Sequence, residues 1–160
     1  MSDPKTSFLF SQIVRDLFSG RGEARIRRAF HFKISEDFGQ TVQPEKIWIA
    51  QMVLRGRSVH DLEGTRRLSR AGDFLLLRPG ISQRYHHSAG TSGLLVMFEM
   101  RGPVKWPKGA PAAYAFPNAW ALVPHFKELI HEFHRVKNDW REERLTVRLA
   151  LLLSEWMLLG

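Results

Sequence analysis

The chain has 160 residues, a net charge of +8, 44% hydrophobic and 25% charged residues, and no cysteine. At this length one domain is expected, burying about 70% of its unfolded surface. The absence of cysteine excludes disulfides, thiolate metal sites and cysteine nucleophiles. No run reaches the ~18 apolar residues of a membrane span, and MSDPKTS lacks the basic start of a secretion signal, so the expected location is the cytoplasm, with no membrane partner.

In chain order, Ser7 to Phe18 puts Phe10, Ile13, Val14, Leu17 and Phe18 on one helical face, and Ser19-Gly20-Arg21-Gly22 ends it. Residues 23–34 read as a first strand and 36–44 as a polar, turn-prone segment. Ile47 to Leu54 is apolar on both faces, as a strand covered on both sides should be. The basic residues fall in small dispersed groups, among them Arg25, Arg27 and Arg28, then Arg66, Arg67 and Arg70. Such groups read as solvated surface, although +8 also suits an anionic partner.

The stretch from Leu54 to Tyr85 organises the chain. Turn signals at Gly56, Glu63-Gly64, Ala71-Gly72-Asp73 and Arg78-Pro79-Gly80 separate the runs Val59 to Leu62, Thr65 to Ser69 and Phe74 to Leu77. Short strands at near-even spacing, joined by glycine turns, predict a β-barrel or sandwich. Ser88 to Gly93 is the next loop and Leu94 to Met100 a buried strand. The proline-rich residues 103–119 read as an irregular crossover.

From Trp120 the apolar period changes to that of a helix. Leu122, Phe126, Leu129, Ile130, Phe133 and Val136 share a face, and Pro124 suits a first turn. After Asn138-Asp139, the residues Leu145, Leu149, Leu152, Trp156 and Leu159 recur at 3.5-residue spacing. More apolar residues lie beside them, which predicts a homodimer through this last helix.

VLRG at 53–56, AGDFLLLRPG at 71–80, RYHH at 84–87, FEMRGPVKW at 98–106 and the helical VRLALLLSEWMLL together resemble the N-terminal sensor and dimerisation domain of AraC-family transcription regulators. The resemblance implies a mainly β fold: a cupin (double-stranded β-helix) barrel followed by two α-helices forming an antiparallel pair. It divides the chain into an N-terminal helix or arm (1–22), the barrel (23–103), a crossover (104–119) and a two-helix dimerisation segment (120–160).

A metal-binding cupin would carry its ligands near positions 43, 45, 49 and 83, which here are Gln43, Glu45, Ile49 and Gln83. One carboxylate without histidine is a poor divalent-metal set, so neither metal nor cofactor is expected. Period-two alternation turns Ile47, Ile49, Gln51 and Val53 inward, with Gln83, Tyr85 and His87. Gln51, His60, Gln83, Tyr85 and Glu99 are therefore the candidate ligand-binding residues for a small, mostly neutral, polar effector. The alternative is that these groups satisfy one another in a filled barrel. On α-helical residues, His125, His131 and His134 lack an HExxH pattern and read as a solvated face.

The functional expectation is an effector-sensing and dimerisation domain, not an enzyme, which contacts DNA only through helix-turn-helix units absent from this chain. Affinity from net charge alone should be weak and salt-dependent. A free-standing metal-free binding cupin and an enzyme using Glu45, His60 or Glu99 as acid or base are the alternatives.

Overall fold

In the computed structural model, residues 4–42, 45–101, 111–135 and 137–159 are described, with side chains from Phe10 onward. Helix α1 (Pro4–Ser19) leads into β1 (Glu23–Lys33). Four turn-linked strands follow where the turn signals put them: β3 (Trp48–Arg55), β4 (Arg57–Leu62), β5 (Thr65–Arg70) and β6 (Phe74–Leu77). Gly72 shows why the turn before β6 needs glycine. Its φ is +93°, and a Cβ there would stand 2.8 Å from the Trp120 indole nitrogen.

Two strands were not legible. The segment read as a polar turn contains β2 (Phe38–Val42), which pairs antiparallel with β7 (Gln83–His87). Four of its five residues are exposed and it shows no buried alternation, so main-chain pairing holds it and hydrophobic patterning has nothing to report. The crossover contains β9 (Ala113–Phe116), an edge strand on β6, while residues 102–110 lie outside the described part. The long strand β8 (Ser92–Arg101) completes two antiparallel sheets. One has the order β1-β8-β3-β6-β9 and the other β2-β7-β4-β5. This is the mainly β barrel with C-terminal helices that was expected.

After a 3-10 turn at Trp120–Leu122, α2 (Val123–His134) begins with Pro124 in its first turn, and α3 (Arg141–Leu159) ends the described chain. Val136, expected on the α2 apolar face, is outside the described residues. The main core lies between the helices and the outer face of the five-stranded sheet. There Phe10, Phe126 and Trp156 meet Ala50, Met52, Phe74, Leu76, Val96 and Phe98. β3 is buried along six consecutive residues because helices cover one face and the barrel interior the other.

The seam expected between two copies belongs to this core. Leu145, Leu149, Leu152 and Trp156 are at most 3% exposed, and partly buried Leu159 packs against the same cluster. The 3.5-residue spacing recorded a helix lying on its own sheet and on α1; a helix–helix seam within one chain and one between chains have the same period. The apolar residues of α3 that remain outward are Val147, 45% exposed, and Leu158, 79% exposed, with half-buried Leu151 between them.

Candidate ligand-binding site

The space between the two sheets has an apolar end and a polar end. Ile49, Leu62, Leu75, Leu77, Ile81 and Ala113 form a second buried cluster, with Ile47, Leu95 and Met97 packed against it. The polar end is built from three strands. β3 supplies Gln51, β4 supplies Ser58 and His60, and β7 supplies Gln83 and His87, all buried. Alternation along each strand places them on one side, since residues two apart share a face.

Gln51 bridges the sheets. Its Nε2 lies 3.5 Å from Ser58 Oγ and 3.5 Å from His60 Nε2. Because the amide nitrogen can only donate, His60 Nε2 accepts; the ring proton then sits on Nδ1, 3.4 Å from Gln83 Oε1. His87 Nδ1 and Ser58 Oγ are 2.6 Å apart. Only that last contact is short. The amide–imidazole–amide contacts are about half an ångström longer than the usual ~2.9–3.0 Å.

Electrostatics keep this end neutral. Burial holds the His60 imidazole below its ordinary pKa, partly opposed by its hydrogen bond with Gln83. His87 is pulled down to about 4, by burial first and then by the nearby His60 and His86. Burial also pushes the Tyr85 phenol up. Near neutral pH the buried groups of this end are thus uncharged donors and acceptors, while Arg67, the β5 partner of His60, is exposed.

Of the five residues read from sequence, Gln51, His60 and Gln83 come together. Tyr85 stands beside them, its ring 6.4 Å from that of His60, but its hydroxyl donates to Gln40 Oε1 at 2.9 Å near the β2 edge. Glu99 does not join. It lies four residues beyond Leu95, the β8 partner of Gln51, which is about 13 Å at a strand's rise. There it holds Arg27 at 2.8 Å. Glu99 instead lines a separate cleft of about 470 Å³ between α1 and the sheet end, with buried Asp16, Lys46, Trp48 and Arg101.

Sequence reading left Ser58 and His87 out of the site. His87 already stood on the inward register of β7, and Ser58 is two positions before His60, so the same alternation would have found both.

Among the described residues, no three His, Cys, Asp or Glu side chains cluster closely enough to hold a metal; Gln43 lies outside them. His134 on α2 donates to the Ala29 carbonyl at 2.7 Å and so ties the helix to β1. No described helix is long and apolar enough to cross a membrane.

No curated protein matches the sequence. Solved structures with the same fold include two of ToxT from Vibrio cholerae. The apo form of a variant has TM-score 0.54 and 9% identity, over 84% of this chain and 55% of that one. Wild-type ToxT bound to an unsaturated fatty acid has TM-score 0.51 and 9% identity, over 84% and 53%. The protein YhaK from Escherichia coli has TM-score 0.45 and 19% identity, over 59% and 43%. The chain thus spans about half the length of these structures. The family model for the AraC-like ligand binding domain matches residues 36–154, from just before β2 into the last helix, and the chain belongs to that family.

Proposed function

We propose that this chain is the effector-sensing domain of an AraC-type transcription regulator, binding a small molecule between its two sheets without chemical conversion. The observation that carries the reading is the uncharged amide–imidazole–amide row of Gln51, His60 and Gln83, buried beside an apolar cluster. An apolar cavity with a few convergent polar groups is the usual form of a small-ligand site. ToxT bound to an unsaturated fatty acid supports a small-molecule role for the fold. The interior here is neutral, so the effector is a neutral molecule. Its hydroxyl, amide or heterocyclic head would meet Gln51, His60 and Gln83, and its apolar part would lie along Ile49, Leu75 and Leu77.

The regulator acts in the cytoplasm as a homodimer, with the outward residues Val147, Leu151 and Leu158 of α3 against a second copy. This stripe is supported by its steps of four and seven on a helix whose other face is already buried. DNA sequence is read by a helix-turn-helix part outside these residues.

A thermal-shift screen of neutral sugars, small aromatics and fatty alcohols tests the reading. A hit at a hundredfold excess over Kd should add about 2.7 kcal/mol of stability. Gln83→Leu should weaken its binding at least tenfold. Undiminished binding to Gln83→Leu and Gln51→Leu would move the site elsewhere, and the absence of any hit would make the interior a filled core. For the dimer, Val147→Glu with Leu158→Glu should halve the mass in sedimentation while leaving the fold intact.

A further inference from the structure

The outer face of the four-stranded sheet gathers charges that are scattered in the sequence. Residues outward on β4, β5 and β7 are set by register: Arg57 is opposite Arg70, Val59 is between Leu68 and His86, and Asp61 is between Arg66 and Arg84. All four arginines and His86 are exposed, and Leu68 is 45% exposed.

Among the described residues the ion pairs join Arg21 to Asp16, Arg27 to Glu99, Arg135 and Arg144 to Glu132, Arg141 to Glu142, and Arg148 to Glu128. None lies on this sheet. Among the described residues the Arg57 side chain donates to the Ser88 hydroxyl at 3.3 Å. Asp61, opposite Arg66 and Arg84, accepts the Gly64 amide at 3.1 Å, and Asp73 accepts the Arg70 amide at 2.8 Å. Like charges directly opposite on neighbouring strands destabilise a sheet. Arg57 opposite Arg70 therefore costs stability that an anionic partner would offset.

The partner's chemistry follows from size and charge. With strands about 4.8 Å apart and a rise of about 3.4 Å per residue, the patch measures roughly 10 Å by 14 Å. That is far below the ~800 Å² per side of a stable protein interface. A second copy would set arginine against arginine. Guanidinium groups pair with phosphate bidentately, and Val59 and Leu68 at the centre offer an apolar surface to a sugar.

We propose that this face is a sequence-independent contact for the phosphate backbone of duplex DNA. It would hold the sensor domain against the duplex that the regulator reads elsewhere, whatever occupies the barrel.

The test measures binding of a short duplex of arbitrary sequence as salt is raised. Four phosphate contacts give a slope of log K against log salt of about −3.6, which is about a hundredfold loss between 50 and 200 mM. The variant Arg57→Gln/Arg66→Gln/Arg70→Gln/Arg84→Gln should abolish most of that slope. A control of equal charge, Arg25→Gln/Lys33→Gln/Lys127→Gln/Lys137→Gln, should retain it. If the fourfold face variant does not fold, Arg66→Gln and Arg84→Gln singly should each flatten the slope by about 0.9. Three results would overturn the proposal: equal loss in the control, wild-type binding without salt dependence, or polyglutamate bound as tightly as the duplex.

Discussion

The outer face of the five-stranded sheet lies under α1, α2 and α3, while the outer face of the four-stranded sheet carries charged side chains that meet solvent. β3 and β4, joined through Gly56, show the difference residue by residue. β3 is buried on both sides from Trp48 to Val53, whereas β4 alternates, with Ser58, His60 and Leu62 buried and Arg57 and Asp61 exposed. A strand covered twice is apolar but for a polar group that finds partners inside, as Gln51 does, and leaves no side chain free for solvent chemistry. A strand covered once can place a binding residue inside and a charge outside at adjacent positions. In this protein both candidate functional surfaces, the polar interior and the arginine face, draw on β4 and β7.

The largest effect should come from breaking the covered side. Leu149→Ala, which empties space under α3, should cost about 2–5 kcal/mol in denaturant unfolding. Its counterpart on the bare side, Leu68→Ala, should stay within about 0.5 kcal/mol. Equal costs would mean that the helices do not seal the sheet as described.

Next comes the turn that docks the start of the helical region onto β6. Gly72→Ala places a methyl group against the Trp120 ring at a φ of +93°. A loss of about 1–3 kcal/mol is expected from the strained backbone alone. Gly64, with φ +87° and nothing within 4 Å of an added Cβ, isolates the backbone part. Gly64→Ala should therefore be the milder of the two.

A pH titration sharpens the contrast between the inside and outside of the same strand. His87 has a folded pKa of about 4 against an ordinary 6.5. The unfolded chain therefore takes up the proton first, and stability that is complete above about 6.5 is lost as pH falls toward 4. His60, shifted in the same direction, adds to that loss. Thermal unfolding between pH 7 and 4 should show the decline, and His87→Gln should reduce it. His86→Gln, on the exposed side one residue away, should alter it far less.

The smallest effect is the removal of an exposed charge. Arg66→Gln, which leaves its cross-strand neighbour Asp61 still facing Arg84, should change stability by no more than about 0.5 kcal/mol. A large loss would reveal a structural partner for this guanidinium.

What the chain alone disclosed was whatever depends on near neighbours. Glycine and proline turns marked the ends of β4, β5 and β6, because a backbone at positive φ selects its residue locally. Alternation pointed Gln51, Gln83 and His87 inward for the same reason. β2 was invisible because its pairing with β7 uses main-chain groups that every residue possesses.

The direction of the α3 seam was likewise undecidable from period alone. Leu145, Leu149, Leu152 and Trp156 fit any apolar surface, and only the placement of β3, β8 and α1 decided which surface they meet. Glu99 had the right alternation to face the barrel. Its distance along β8 and its Arg27 partner, 72 positions away in sequence, took it out of the site. The convergence of Arg57, Arg66, Arg70 and Arg84 also appears only after folding, since sheet register joins residues that sequence spacing keeps apart. Local torsional preference and side-chain period are properties of short segments; long-range pairing is a property of the assembled sheet.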